Sequence, residues 1–252
     1  MLKKLFLVIC LLIISLSSGF TQDEKVEFEG RYWITDLDAK AQVDAAGVGG
    51  TTLNLKSDLG VGDEDFPEGR VTLNLGSAKW RFAYMQVDYS GNQNLNRTIT
   101  FKGKTYTAGA NVRSEFDILY LRFGRIWNLF DLGKKMKIGA VIETKGILAD
   151  IKLDAPALSL NESESLIGGL PTLGVAIDIN PIKKINLFAE ISGLGAGGYG
   201  YVFDAEAGIK FVPFDNFSIV GGFRIIDLKL EYDDNLVEIE TSGPFVGATL
   251  RF

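Results

Sequence analysis

Carboxylates and cations recur two residues apart along this chain. Glu29 stands with Arg31, Glu143 with Lys145 and Asp204 with Glu206, and Arg70, Arg122, Asp178, Glu190, Lys210 and Arg224 stand singly between apolar or small neighbours. On an extended strand such a residue points away from the hydrophobic face. Side chains of this kind can exchange protons as a carboxylate pair, hold a hard cation, or neutralise one another. The first option is narrowed by what is missing: the 252 residues include no histidine. That excludes Ser-His-Asp and Cys-His nucleophile activation, HExxH zinc sites and imidazole relays. Carboxylates, Lys or Tyr would have to act alone, and no Asp pair sits where one pKa would visibly rise. The formal charge of −6 offers no basic field for a nucleic acid.

The elements that position these residues begin after a targeting segment. Lys3 and Lys4 precede an apolar run from Leu5 to Ile14, then Ser15, Ser17, Ser18 and Gly19. This order of positive, apolar and small residues predicts a secretory signal peptide over 1–21, cleaved near Gly19 or Thr21. The run is too short for a membrane helix of roughly 20 residues. Cys10, the single cysteine, falls inside it and would be discarded.

Beyond residue 21 the period is two. Tyr199, Tyr201, Phe203, Ala205, Ala207, Ile209 and Phe211 share one face, opposite Val202, Asp204, Glu206, Gly208 and Lys210. About ten such segments are expected, near 26–36, 68–76, 80–90, 113–127, 135–150, 166–179, 184–193, 199–212, 217–231 and 238–252. Their lengths suit the roughly 9 to 11 residues of a tilted membrane strand. Two irregularities are expected. In strand three, Trp80, Phe82 and Tyr84 favour one face and Val87 and Tyr89 the other, and a similar slip falls between Ile225 and Leu228; bulges, or strands extended above the membrane, would explain both.

Connections alternate. Short ones fall at 76–79, 128–134, 180–183 and 213–216, where Asn, Asp, Gly and Pro supply turn chemistry. Long or polar ones fall at 37–67, 91–112, 151–165, 193–198 and 232–237. With an even strand count, both termini and all short turns lie at one end. Trp80, Trp127, Phe130, Phe211, Phe214, Phe217 and Phe252 gather there, with Tyr89, Tyr199 and Tyr232 at the other end, as two interfacial girdles. The expected fold is all-β: a closed antiparallel transmembrane β-barrel over 22–252, of ten strands, with eight as the alternative. Closure is required because hydrocarbon cannot satisfy an open sheet edge.

The final segment, Pro244-Phe245-Val246-Gly247-Ala248-Thr249-Leu250-Arg251-Phe252, resembles the closing strand of Gram-negative outer-membrane β-barrels. Phe252, Leu250, Ala248 and Val246 fit its pattern; Pro244 departs from it. The resemblance implies an outer-membrane location, contact with its lipid and lipopolysaccharide, and recognition of Phe252 by the barrel-assembly machinery. The enzymatic barrels of this class, lipases, lipid A deacylases, palmitoyl transferases and surface proteases, rely on a catalytic histidine, so no enzyme is expected here.

With the apolar face toward lipid, the lumen would carry Glu29, Arg31, Arg70, Arg122, Glu143, Lys145, Asp178, Glu190, Asp204, Glu206, Lys210 and Arg224. An ion-pair network that fills a narrow barrel is the main expectation, and a narrow path for ions or small solutes the alternative. Gly193 to Gly198 matches a GxGxxG spacing, but a strand follows rather than a helix, so it predicts a flexible hairpin tip. Asp63-Glu64-Asp65 with Glu68, and Glu231, Asp233 and Asp234, are acid clusters in expected external loops. They lack calcium-loop spacing and read as solvated charge. No cofactor or metal is expected. Residues 37–67, rich in glycine, are long enough to present a surface or fold into the lumen, with a short external strand at Thr51 to Leu55. The expected function is structural or surface-interacting, toward an unidentified external ligand; the alternative is the narrow channel.

Overall fold

A computed structural model describes residues 24–44, 49–75, 78–133, 135–195, 197–232 and 235–252. The expected signal segment lies outside them. Ten strands form the barrel wall: β1 (Glu24–Trp33), β4 (Phe66–Leu75), β5 (Ala78–Asn94), β8 (Asn111–Asp131), β9 (Met136–Ala155), β10 (Leu160–Ile182), β11 (Ile185–Gly195), β12 (Gly200–Phe214), β13 (Phe217–Tyr232) and β14 (Asn235–Arg251). Each pairs antiparallel with its neighbour, and β1 closes on β14 from Glu27–Arg251 to Trp33–Phe245. The closed sheet leaves no edge around this part of the wall.

The first long connection carries β2 (Asp36–Gln42), β3 (Leu53–Asn54) and a short helix α1 (Leu55–Leu59). β2 resumes the line of β1 after Ile34 and Thr35 and pairs with the upper half of β14. The second carries a hairpin of β6 (Ile99–Phe101) and β7 (Lys104–Tyr106). The expected external strand at Thr51 to Leu55 is thus only Leu53–Asn54, after which Asn54 caps α1 by accepting from the Ser57 amide.

Period-two alternation continues beyond the expected strand ends. The connection 151–165 is mostly strand: β9 runs to Ala155, a single 3-10 turn spans Pro156–Leu158, and β10 begins at Leu160. At 21, 20 and 23 residues, β8, β9 and β10 are about twice what a bilayer requires. The surplus stands above the membrane. Its lower limit is legible on the outer face, where apolar residues give way to acids: Ile34 to Asp36, Leu119 to Asp117, Leu148 to Asp150 and Ile225 to Asp227. At the opposite end Phe130, Phe214 and Phe252 are about two-thirds exposed. The Arg125 guanidinium lies over Trp127 and Trp80 there, 4.6 and 5.4 Å from the ring centroids. Rings and a snorkelling cation suit a headgroup interface.

Of the two explanations for the phase changes, bulges do not occur at these positions, and strand extension above the membrane does. β5 keeps unbroken register with β4 and β8, and β13 keeps it with β12 from Ile219 to Leu230, past both Ile225 and Leu228. Arg81, Ala83, Met85, Val87 and Tyr89 all face inward and are buried. The interior changes instead, from charged below to apolar above. Tyr89 therefore belongs to no girdle; the side chains of Tyr199 and Tyr232 lie outside what is described.

Candidate functional site

The lower lumen is a layer of ion pairs to which strands all round the wall contribute. Glu68 and Arg70 come from β4, Glu29 and Arg31 from β1, Arg81 from β5, Arg122 from β8, and Glu143 and Lys145 from β9. Glu190 comes from β11, Asp204 and Glu206 from β12, and Arg224 from β13. Because i and i+2 residues share a face, each short polar motif delivers two groups to the same layer.

Glu206 is held by Arg70 at 2.6 Å and Arg31 at 3.0 Å. Glu190 is held by Arg81 at 2.6 Å and Arg122 at 2.7 Å. Asp204 accepts from Arg224 at 2.9 Å and Lys145 at 3.0 Å, and the Tyr120 hydroxyl donates to it at 3.0 Å. Glu143 meets Arg122 and Arg81, each at 2.9 Å. Arg224 reaches Glu68 at 2.8 Å, and Arg70 reaches it at 3.0 Å. Six carboxylates, Glu29, Glu68, Glu143, Glu190, Asp204 and Glu206, thus meet six cations, Arg31, Arg70, Arg81, Arg122, Lys145 and Arg224, in one connected web.

Room for these long side chains comes from glycine. A β-carbon on Gly124 would lie 2.1 Å from the Glu143 β-carbon, so the inward position beside Glu143 must be empty. Facing Gly208 and Gly222 leave space that the Phe188 and Phe245 rings cover, and Arg31 lies over Phe245 at 4.2 Å.

Asp178 and Lys210, singled out from the sequence, stand nearer the periplasmic mouth and remain partly exposed. Lys210 pairs with Glu29 at 3.1 Å, and Asp178 with Lys79 at 3.2 Å. They line a cleft of about 110 Å³ whose floor is Arg31, Arg70, Arg81 and Glu206. Phe252, at the end of the wall, exchanges backbone hydrogen bonds with Val26 and turns its ring outward beside Phe28.

Sequence reasoning missed two members of the web. Arg81 was obscured by the supposed phase slip, although strict alternation from Arg81 to Tyr89 carries the signal. Glu68 looked like part of an external acid cluster; it is 3% exposed and deep in the lumen. The rest of that cluster supports the first loop. Asp65 accepts from the Thr35 amide at 3.1 Å and Asp63 from the Leu37 amide at 2.8 Å, which holds the break between β1 and β2. Of the second cluster, Asp233 and Asp234 lie outside the described residues. Gly195 ends β11 and a 3-10 turn follows at Gly197–Tyr199, so the GxGxxG stretch is a hairpin tip.

Above the web the interior is apolar. Trp33, Phe66, Met85, Val87, Tyr89, Phe116, Ile147, Ile226 and Leu228 pack in one cluster with residues of the loops. From the first loop come Leu37, Leu53, Leu55 and Leu59; from the second, Ile99, Phe101 and Tyr106, each almost fully buried. The loops are locked to each other by Arg97, which donates to Asp58 at 2.7 Å and to the Thr52 carbonyl at 2.9 Å. That hydrogen bond holds the Asp58 carboxyl below its ordinary pKa. Ion pairs below and a packed lid above close the lumen at two levels.

No protein-family model and no curated protein sequence matches the chain. Among solved structures, the outer membrane protease OmpT from Escherichia coli is similar at a TM-score of 0.60 and 7% identity, over 94% of this chain and 100% of that one. Ail, the attachment invasion locus protein of Yersinia pestis, matches at 0.40 and 10% identity, over 92% and 100% of the two chains. Neisserial surface protein A matches at 0.35 and 10%, over 92% and 98%. At these identities the similarity is one of fold, and only the first is near enough in shape to bear weight. Fold and apolar band together define a ten-stranded β-barrel of the bacterial outer membrane.

Proposed function

We propose that the protein is a closed, non-enzymatic outer-membrane barrel that acts through its external face. The observation that carries this reading is the double closure of the lumen. A path for solutes would have to break a layer in which every carboxylate of the web has at least one cation within 3.1 Å, and then part the apolar lid. Opening buried pairs without replacing their partners costs several kcal/mol per ion. The outer face, by contrast, is built: among the described residues, two loops tied by Arg97 and Asp58 stand on strands that rise well above the membrane. A non-enzymatic role accords with a chain that has no histidine and whose buried carboxylates are all engaged by cations.

The channel alternative draws support from one feature, the periplasmic cleft of about 110 Å³. It ends at the ion-pair layer. Solute efflux from proteoliposomes separates the two readings. Efflux of a small sugar equal to that from protein-free vesicles is expected; rapid efflux would give the role to a channel.

A further inference from the structure

The barrel wall is not equally tall all round. β11 and β12 make a short hairpin whose topmost register pairs are Leu173–Gly193 toward β10 and Leu230–Gly200 toward β13. β10 continues upward to Leu160, paired with β9 alone. Pro171, which has no N–H to leave unsatisfied, lies in this one-sided stretch. A notch therefore opens above the hairpin, between β10 and β13.

The notch leads into a cavity of about 280 Å³ lined by Leu166, Leu170, Leu228, Leu230 and Ile239. It shares Ile147, Leu228 and Ile239 with a smaller apolar space of about 40 Å³ that reaches Trp33 and Phe66 above the ion pairs. Leu230 stands at the entrance: a β-carbon on Gly168, across the gap, would lie 3.3 Å from its Cδ1.

Height identifies the occupant. On the outer face, Leu148 gives way to Asp150 and Ile167 to Ser165 at this level, and Ile167 is 81% exposed. On the β10 side the notch thus meets the upper edge of the lipid band, and on the β13 side, where Asp227 marks that edge, it opens just above it. Its lining offers water few of the two to four polar partners a buried water needs. Glu231 and Asn235 lie at the rim, on the headgroup side. We propose that the notch between β10 and β13 is a lateral binding site for one hydrocarbon chain of an outer-leaflet lipid, with Leu230 and Gly168 as its doorway. The chain enters from the membrane, lies against Leu166, Leu170 and Leu228, and stops above the ion-pair layer. The site depends on the membrane placement of the barrel and not on what the loops contact.

Bromine on an acyl chain quenches tryptophan at short range, and Trp33 is one of only three tryptophans. The test uses Trp80→Phe/Trp127→Phe protein, so that Trp33 alone reports, in vesicles of phosphatidylcholine brominated midway along one chain. Trp33 is expected to be quenched, with the quenching lost in Gly168→Phe, which fills the doorway, and strengthened in Leu230→Ala, which widens it. Heat-dependent gel mobility verifies folding of each variant. An unquenched Trp33, or quenching that Gly168→Phe leaves unchanged, would overturn the proposal. Should Gly168→Phe fail to fold, Leu230→Ala decides alone: quenching no stronger than in the parent overturns it.

Discussion

Glu190 on β11 and Glu206 on β12 stand directly opposite one another in the strand register. Like charges in that position repel. Each is drawn instead toward a different pair of arginines, Glu190 to Arg81 and Arg122 and Glu206 to Arg70 and Arg31. The two clusters join through Arg224 and Arg122, which both approach Asp204. The web is therefore a single unit whose parts are not independent.

Glu206→Gln leaves Arg31 and Arg70 short of a buried partner and should cost on the order of 3 kcal/mol in unfolding free energy. Glu206→Gln/Arg70→Met removes charge from both sides and should cost less than the sum of the single changes. Denaturant unfolding in detergent micelles measures both. A Glu206→Gln protein as stable as the parent would show that water already screens the site.

Glycine positions give a paired comparison. Gly124→Ala places a methyl group against Glu143 and should misalign the web, lowering both stability and assembled yield, by about 1 to 3 kcal/mol for an overpacked site. Gly30→Ala, with no atom within 4 Å of the added carbon, should leave stability within about 0.5 kcal/mol of the parent. Equal effects would mean that inward space is not limiting.

The lid should loosen in acid. The pKa of Asp58 is lowered by its hydrogen bond from Arg97, so its contribution is complete above the unfolded value of about 3.9 and is lost as pH falls through the lower folded value. The protection of loop amides between residues 52 and 61, measured as exchange relative to the intrinsic rate at each pH, is expected to fall in that acidic window. Asp58→Asn should reproduce the change at neutral pH, where the parent remains protected. Exchange that does not respond to either would remove Asp58 as the clasp.

Phe252 is expected to matter for assembly more than for the finished barrel. Its ring is 67% exposed, so little core packing is lost with it, while its backbone closes the sheet on Val26. Deletion should lower the membrane-inserted fraction and leave export intact, as read by fractionation at low expression. Full assembly yield without Phe252 would contradict this.

The ten wall strands were legible because one face had to meet hydrocarbon. Phe82 with Tyr84, or Phe203 with Ile209, could not be mistaken for a lumenal row. The upper interior was only half legible for the same reason: above the membrane the apolar face turns inward, so Val87 and Tyr89 read equally as a bulge or as a strand extended past the bilayer. Glu68 was hidden because local acidity says nothing about which side of the wall an acid faces. The pairing of Arg81 with Glu190 and of Arg31 with Glu206 joins strands far apart in sequence, and no local pattern encodes it. Arg97 on Asp58 is equally non-local. Strand height was not legible because 159–165 is almost wholly polar and reads as a loop, although Ile151, Leu153 and Ala155 alternate with Lys152 and Asp154 just before it.

In the proposed reading, paired charge below and a packed lid above close this barrel. Current across a planar lipid bilayer holding the purified, refolded protein, recorded at neutral pH, tests that closure. The parent protein is expected to show no steady ohmic steps, with rare flickering in Glu206→Gln, whose web is weakened. Steady, ion-selective steps in the parent, with reversal potential shifted by Glu206→Gln while stability is unchanged, would contradict the account and make the lumen a pore.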